Sequence, residues 1–373
     1  MNSTRRLRFF TFLVVINALS WAQPAEACTS MLVRAADGGF VYGRTLEFGL
    51  DLRSQFILVP RGYTVTATGP AGEVGKGGLA WKTRYAATGM NALGLPVIVD
   101  GVNEKGLAGG MFNFPGYAQF QTVPAGQENR SIASFEVVLW ALTNFATVEE
   151  LRAALPKVIV SGVELAAFDN AVPPMHFSFH DTTGKSLAVE YVDGGTLRIY
   201  DNPVKVFTNA PSFPSQLENL AQYQYVTAGM LPPIQAGSMK LSAASSGDGM
   251  YGLPGGGLAT ARFVRAFFAQ QSAPTAPTTA EAVAITFHLM NGFDIPPGSS
   301  LISATGGGES GGVTGYERTE WTAATDMKNL RYHVKTFANP DVRFIDLRKA
   351  NLDAKTIQII ALDQPQNARD LTP

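Results

Sequence analysis

The chain has a single cysteine, Cys28, and the position of this residue is the first chemical signal in the sequence. Exported proteins usually pair their cysteines in disulfides, and one cysteine has no internal partner. A cysteine at a free N-terminus unites two parts of a hydrolytic mechanism, because its thiol is a nucleophile and its α-amine can accept the thiol proton. The reference pKa values of these groups, ~8.5 and ~8, make that transfer nearly balanced at neutral pH. Cys28 would then need no histidine base.

The first 27 residues have the pattern of a secretory signal peptide. Arg5, Arg6 and Arg8 give a basic start, and an apolar stretch follows over residues 9–19. The segment ends in Ala-Glu-Ala at 25–27, an A-x-A exit that is typical of signal cleavage. We therefore expect an exported, periplasmic protein whose mature domain spans residues 28–373 and begins at Cys28.

A rival interpretation makes Cys28 a site of lipid attachment. Bacterial lipidation signals usually have a large aliphatic residue three positions before the cysteine, whereas this chain has Ala25. The pattern favours simple cleavage. The non-enzyme alternative is a Cys28-lipidated envelope binding protein, in which the cysteine is an attachment point only.

The other motifs in the sequence do not predict a catalytic or cofactor site. The chain has four histidines, and His176 and His180 lie on one face of a predicted strand, where packing is the expected role. No HExxH or CxxC pattern is present, so we expect neither a metal nor a cofactor. The residues GESGG at 308–312 match the G-x-S-x-G elbow, and Gly306, Gly308 and Gly311 match a dinucleotide fingerprint. Both motifs need a strand before them and a helix after them, and here a glycine-rich surface loop over 302–315 is expected instead.

The secondary-structure pattern predicts a layered α+β domain with sandwiched sheets. Strands are expected at 29–34 and 40–45 around an Asp-Gly-Gly turn, with a second extended pair at 55–60 and 63–68. Later strands are expected at 96–100, 107–112, several segments of 175–207, 320–325, 331–337 and 342–345. Helices are expected at 134–145, 258–271 and 280–291, and a capping box at Thr147 and Glu150 begins another helix that ends near Leu155. No repeat or linker divides the chain.

Composition excludes several classes of partner. The 29 basic and 30 acidic residues give a net charge of −1, so neither nucleic acid nor an anionic membrane surface is expected to bind. Polar residues interrupt every later apolar run, and no stable membrane insertion of the mature chain is expected.

Five blocks, taken together, resemble a known family. The start at Cys28, CTSMLVRAADGGFVYGRTLEFG, is similar to the start of the choloylglycine hydrolase family, which includes bile salt hydrolases and penicillin V acylases. VNEKGLAGGMFNFPGY (102–117), VFTNAPSFPSQLENL (206–220), LPGGGLATARFVRA (253–266) and EWTAATDMKNLRYHVKTFAN (320–339) resemble further family blocks in the same order. The resemblance implies a four-layer αββα sandwich of N-terminal-nucleophile hydrolase type, assembled as a homotetramer.

The resemblance also implies roles for individual residues. Cys28 matches the nucleophile, and Arg44 matches an arginine beside the thiol, where a cation favours thiolate. Many members have an aspartate three residues later, which holds the α-amine. This chain has Glu47 there, one methylene longer, so the geometry of that contact is open.

Three more residues match the family's site. Asn209 matches the side-chain donor of the oxyanion hole, and Asn113 stands where the family supplies a backbone amide and often an asparagine. Arg262 matches a second active-site arginine. Together the matches imply hydrolysis of a small-molecule linear amide through a thioester.

The substrate class is open at this stage. Penicillin V and acyl-homoserine lactones are the expected acyl amides, because a signal peptide is unlike the cytoplasmic bile salt hydrolases of gut Gram-positives. Hydrolysis of conjugated bile acids is the alternative. Met31, Leu32, Phe48, Phe112 and Phe114 could line an acyl pocket or belong to the core.

Overall fold

The computed structural model describes residues 28–49, 51–168, 170–243, 245–302, 315–362, 366 and 370–372. The candidate signal peptide lies outside the described residues. So does nearly all of the glycine-rich segment, with the elbow-like and dinucleotide-like motifs.

One six-stranded antiparallel sheet carries the start of the described chain. In spatial order its strands are β14-β1-β2-β19-β20-β21. Their bounds are β1 Thr29–Arg34, β2 Phe40–Phe48, β14 Val206–Phe207, β19 Arg318–Asp326, β20 Arg331–Thr336 and β21 Arg343–Asp346. The antiparallel partners of β2 are β1 and β19, so β2 is a central strand.

The second sheet has eight antiparallel strands, in the order β13-β12-β11-β8-β7-β6-β3-β22. Their bounds are β3 Phe56–Val59, β6 Ala87–Met90, β7 Asp100–Asn103, β8 Ala108–Asn113, β11 Met175–His180, β12 Ser186–Val192, β13 Thr196–Asp201 and β22 Gln358–Ile360. Four short pairs complete the described strands: β4 Thr64–Thr68 with β5 Gly77–Lys82, β9 Ser131–Ala133 with β10 Ile159–Ser161, β15 Ile234–Ala236 with β16 Met239–Leu241, and β17 Leu301–Ile302 with β18 Gly315–Tyr316.

The described residues form five α-helices: α1 Val137–Asn144, α2 Val148–Ala154, α3 Phe213–Leu220, α4 Ala259–Ser272 and α5 Thr279–Asn291. Helices α4 and α5 pack on β1, β2 and β19 of the first sheet, while α1 packs on β7 and β8 of the second. The sheets face each other, since Tyr332 of β20 donates a hydrogen bond to Asp100 of β7. The layers are therefore helix, sheet, sheet and helix, and the expected αββα sandwich is confirmed.

Strand β2 shows how the sequence serves two faces at once. All nine of its residues are buried, because helices cover one face and the second sheet covers the other. Side chains alternate along a strand, so Tyr42 and Arg44 share the face toward the second sheet. Gly43 lies on the helix face, where an added Cβ would come within 2.4 Å of Thr286 Cγ2 in α5.

Several local predictions need correction. The segments at 55–60 and 63–68 are extended but do not pair with each other: β3 pairs with β6 and β22, and β4 pairs with β5. The strand expected at 96–100 begins only at Asp100, and a single 3₁₀ turn precedes α1. Strands β5 and β6 and helix α3 were not predicted. Half of the capping box is confirmed, since Thr147 Oγ1 accepts a hydrogen bond from the Glu150 N–H, but the Glu150 carboxylate accepts the N–H of Ala146 instead of that of Thr147.

Candidate active site

Cys28 directly precedes β1 and is buried, with 4% of its surface exposed. Its backbone nitrogen donates a hydrogen bond to Asn209 Oδ1 at 2.7 Å, and its carbonyl oxygen accepts one from Arg262 Nη1. Arg44 Nη2 lies 3.7 Å from the sulfur and donates to it. The predicted nucleophile is thus fixed at its backbone and contacts a cation through its side chain.

The Arg44 guanidinium is held on several sides. Its Nη2 also donates to the Met111 carbonyl, and its Nη1 donates to the Val99 carbonyl at 3.1 Å and to Asp100 Oδ2 at 3.3 Å. The guanidinium carbon lies 4.3 Å from the centroid of the Phe112 ring. A planar group with this many contacts has little rotational freedom, so its position relative to the thiol is defined.

Sequence reasoning missed the group behind Arg44. The fully buried Asp100 accepts hydrogen bonds from Tyr42 Oη on Oδ2 and from Tyr332 Oη on Oδ1, both at 2.9 Å. Gly110 makes room for it, because an added Cβ would lie 2.5 Å from both Asp100 Oδ2 and Arg44 Nη1. The available signal was an aspartate at the end of the apolar run PVIVD, just before the NEKGL block.

Two opposed effects act on the Cys28 thiol. Burial raises its pKa above the ordinary range, because a thiolate loses hydration there. The Arg44 charge and hydrogen bond lower the pKa, and the Glu47 charge raises it. Arg44 is therefore the described group that most strongly favours the nucleophilic form.

Asn209 and Asn113 are adjacent. Asn209 Nδ2 donates to the Asn113 carbonyl at 2.9 Å, which uses one of its two hydrogens. Asn209 Oδ1 accepts hydrogen bonds from Cys28 and from Arg262. The Asn113 side chain lines the cavity beside Cys28, and its Nδ2 is buried without a partner among the described residues. Two amide groups with donor capacity to spare thus lie next to Cys28, one at its backbone nitrogen and one in the wall of the cavity.

Arg262, from α4, connects the nucleophile to Asn209. Besides its bond to the Cys28 carbonyl, it donates to Thr29 Oγ1 at 2.7 Å and to Asn209 Oδ1 at 2.9 Å. Burial lowers its pKa and the Glu47 and Cys28 charges raise it, but a guanidinium keeps its proton in proteins. Arg262 is therefore a buried cation fixed on the backbone of Cys28.

Glu47 lies an odd number of residues from Arg44 and so points to the opposite face of β2. One carboxyl oxygen accepts a hydrogen bond from Thr319 Oγ1 at 3.0 Å, and the other has no partner among the described residues. Burial raises the pKa of Glu47 to about 8, against the lowering effect of the Arg262 charge. The Cys28 nitrogen is a peptide nitrogen here and donates to Asn209, so the α-amine role expected for Glu47 stays a prediction.

An apolar cavity opens at the sulfur. Cys28, Arg44 and Asn113 supply its polar edge, and the rest of its wall is aliphatic, aromatic or thioether: Leu46, Phe48, Leu52, Ala92, Leu93, Leu95, Val97, Val99, Met111, Phe135, Leu165, Phe168, Pro173 and Met175. Its volume is about 60 Å³. Of the five apolar candidates from the sequence, Phe48 lines this cavity, while Met31, Leu32, Phe112 and Phe114 are buried elsewhere in the core.

The structure also places the two histidines of the predicted strand and the groups that could bind a metal. His176 and His180 are both buried in β11 and pack against aromatic rings. Within the part of the chain that the structure describes, no cluster of three or more histidine, cysteine, aspartate or glutamate side chains is placed to hold a metal. Among the same residues, no helix is long and apolar enough to cross a bilayer.

A double sheet between helix layers, with a cysteine at the start of a central hairpin, defines the N-terminal-nucleophile class of hydrolase folds. The family model for linear amide C–N hydrolases of the choloylglycine hydrolase family matches residues 28–360. The chain belongs to this family, and it is a hydrolase of carbon–nitrogen bonds other than peptide bonds in linear amides.

Individual relatives agree with this assignment. The chain is 29% identical to a bile salt hydrolase/transferase of Clostridium perfringens over 336 residues, or 89% of this chain and 95% of the relative. It is 25% identical over 347 residues to a penicillin V acylase of Pectobacterium atrosepticum, with 88% and 82% covered. Among solved structures, a mutant of the Clostridium perfringens conjugated bile acid hydrolase matches with a TM-score of 0.79 at 25% identity, covering 92% of this chain and all of that one. Penicillin V acylase from Agrobacterium tumefaciens shares the fold, with a TM-score of 0.68 at 23% identity over 90% of this chain and 92% of that one.

Proposed function

We propose that the mature chain begins at Cys28 and hydrolyses small N-acyl compounds through a thioester on that residue. The observation that carries the proposal is the position of the Cys28 sulfur, which lies at the polar edge of an apolar cavity, 3.7 Å from the Arg44 guanidinium. Asn209 accepts a hydrogen bond from the Cys28 nitrogen, and Asn113 lines the same cavity as the sulfur.

The reaction follows from these groups. The α-amine takes the thiol proton, and the sulfur attacks the acyl carbon to form a C–S bond and a tetrahedral oxyanion. The C–N bond then breaks as the leaving amine takes the proton from the ammonium group. Water attacks the thioester, with the α-amine as base, and releases the carboxylic acid while the thiol recovers its proton.

The oxyanion needs donors that are already in place. Asn209 Nδ2 has one hydrogen left, and Asn113 Nδ2 is a buried donor at the cavity edge. Removing one such donor from a hydrolase typically costs 10²- to 10³-fold in kcat, so each of these amides can supply a large share of the rate. Arg262 positions Asn209 and the Cys28 backbone.

The cavity favours a slim apolar acyl group. A fatty acyl chain presents only apolar surface to such a wall, and a phenoxyacetyl group adds one ether oxygen that donates no hydrogen bond. The hydroxyls of a cholyl group would lose their hydrogen bonds to water. Penicillin V and long-chain acyl-homoserine lactones are therefore the proposed substrates. Conjugated bile acids are the second candidate, because several relatives at 28–29% identity are named bile salt hydrolase/transferase.

Export completes the proposal. The pattern at 1–27 is that of a signal peptide, and cleavage after Ala27 would turn the peptide nitrogen of Cys28 into the α-amine that the mechanism needs. We place the enzyme in the periplasm, and we expect a homotetramer from the resemblance to the family.

The test begins with protein recovered from the native envelope fraction. Intact mass and N-terminal sequencing should give a chain that starts at unmodified Cys28. The enzyme is then assayed with penicillin V, glycocholate, taurocholate and a long-chain acyl-homoserine lactone. We expect turnover of the first or last of these and its loss in Cys28→Ser with the fold retained. A lipid on the sulfur, or inactivity toward all four compounds, would refute the proposal.

A further inference from the structure

His176 occupies a position between the two segments that carry Asn113 and Asn209. It lies in β11, which pairs with β8 so that Met175 is opposite Asn113 and His176 is opposite Phe112. Its side chain is buried, with 1% of its surface exposed. Its side chain does not line the cavity beside Cys28.

The ring contacts the first segment by stacking. The His176 and Phe114 rings are nearly parallel, at 7°, with their centroids 4.1 Å apart. Phe114 directly follows Asn113, and its own N–H donates to the Pro174 carbonyl at 2.6 Å. A flat contact of this kind fixes the height of the chain at Phe114 above the imidazole plane, and with it the neighbouring Asn113.

The same ring contacts the second segment through a hydrogen bond. His176 Nε2 lies 2.9 Å from the Thr208 carbonyl oxygen. A carbonyl only accepts, so the ring proton is on Nε2 and the imidazole donates. The His176 ring also lies 4.4 Å from the Phe207 ring. Thr208 directly precedes Asn209, so the bond is one residue away from the second amide.

Glu190 fixes the chain beyond Asn209. One of its oxygens accepts the Phe213 N–H at 2.7 Å, while His176 Nδ1 is 3.5 Å from that oxygen and too far for a strong bond. Gln216 Nε2 donates to the Asn209 carbonyl at 3.1 Å. The segment 208–216 is thus held at both ends, and His176 is the one of these groups that also touches the segment of Asn113.

We infer that His176 is a positioning residue that sets the distance between the side chains of Asn113 and Asn209. The inference rests on the proposed function, in which both amides donate to the oxyanion. Such donors work at 2.7–3.1 Å from the oxyanion, and a displacement of about 1 Å can cost about 10²-fold in rate. A rigid ring that stacks on Phe114 and bonds to the Thr208 carbonyl can hold the two amides within such a distance.

Two variants separate the contacts. His176→Phe keeps a flat ring for the stack on Phe114 and loses the donor to Thr208. His176→Gln keeps an N–H donor and loses the ring. His180 gives a matched control, because it is also a buried histidine of β11 but bonds to Ser178 and Ser186 instead. His180→Phe therefore reports the cost of losing a buried histidine without touching either asparagine segment.

With the best substrate of the four-compound panel, we expect His176→Phe to lower kcat 10- to 100-fold with KM within threefold of wild type. His176→Gln should recover part of that loss. The pH profile of Cys28 alkylation by iodoacetamide should stay unchanged, because the contact between Arg44 and the sulfur is not affected. His180→Phe should match His176→Phe in thermal stability and keep kcat within threefold.

Other results overturn the inference. A kcat within twofold of wild type in both His176 variants would do so, as would an equal loss in His180→Phe. If His176→Phe does not fold, the comparison uses His176→Gln against His180→Gln with the same criteria. A wild-type enzyme inactive toward all four compounds would instead refute the proposed function, which separates the two failures.

Discussion

Replacing Arg44 by leucine should raise the pKa of the Cys28 thiol. The guanidinium Nη2 is 3.7 Å from the sulfur, and both groups are buried. Leucine keeps part of the apolar stem and removes the charge and the donor. Burial already raises the thiol pKa, so the thiolate would then lose its main favourable partner among the described residues.

The distance sets the scale of the effect. Two unit charges 3.7 Å apart interact by about 4.5 kcal/mol at an effective dielectric constant of ~20, which corresponds to roughly 3 pKa units. Asp100 lies 3.3 Å from Arg44 Nη1 and offsets part of the guanidinium's field. We therefore expect an increase of about 1 to 3 units in the thiol pKa.

Alkylation gives a direct assay. Cys28 is the only cysteine, so the rate of iodoacetamide incorporation, followed by intact mass between pH 5 and pH 11, reports this thiol alone. The inflection of the rate against pH is the thiol pKa, because the thiolate is the reacting form. Arg331→Leu is the control, since Arg331 pairs with Asp346 at the sheet edge and has no contact with Cys28.

The Asp100→Asn variant and the double variant complete a cycle. Asparagine leaves the Arg44 charge without its counterion, so the thiol pKa should fall below that of wild type. The double variant should lie between wild type and Arg44→Leu, because both charges are gone. An inflection that moves by less than 0.3 units in Arg44→Leu, or moves equally in Arg331→Leu, would refute the electrostatic role of Arg44.

Three further predictions concern stability, packing and the cavity. Burial raises the pKa of Glu47 to about 8 in the folded chain, whereas an unfolded chain has a carboxyl pKa of ~4.3. Between these two pH values the folded chain therefore keeps a proton on Glu47 that the unfolded chain releases. The free energy of unfolding of the wild type, measured by urea titration, should therefore fall as the pH rises from 5 to 8. In Glu47→Gln this decrease should be smaller by about 1.4 kcal/mol per pH unit, because glutamine has no proton to lose. If the free energies of wild type and variant run parallel against pH, the reasoning is wrong. Gly110→Ala should lower the free energy of unfolding by about 1–3 kcal/mol and raise the thiol pKa, because its Cβ would lie 2.5 Å from Arg44 Nη1 and from Asp100 Oδ2. Gly256→Ala, with no atom within 4 Å of the new methyl group, is its control, and equal effects of the two would count against the argument. Leu165→Trp should fill part of the cavity. It should lower kcat/KM at least tenfold for a long-chain acyl-homoserine lactone and by less for a short-chain one. An equal loss for both substrates would exclude the cavity as the acyl site.

The site residues around Cys28 could be named from the sequence because each lies in one of the blocks that occur in the family's order. The sequence could not reveal the Asp100 group, because Tyr42 and Tyr332 are ordinary core residues in their own strands. Tyr332 meets Asp100 across 232 positions of the chain. A contact of this kind depends on how two sheets face each other, which no local periodicity records.

Local structure was predicted where side-chain alternation or a cap was present. Strands β1 and β2 have a turn signal between them, and the Thr147 cap begins α2. Strand β6, with the sequence ATGM, has no run of branched residues, and its conformation comes from pairing with β3 and β7. Helix α3 has a proline in its first turn, a start signal that the sequence analysis did not use.

The partners of Cys28 also determine when its thiol reaches its final surroundings as the chain folds. Its nitrogen bonds to a residue 181 positions later and its carbonyl to one 234 positions later. Cys28 is made early in synthesis, and Arg262 is made only after most of the domain. Closing loops of this length is slow relative to local folding. The thiol therefore stays an ordinary cysteine until the chain has folded around both of these partners.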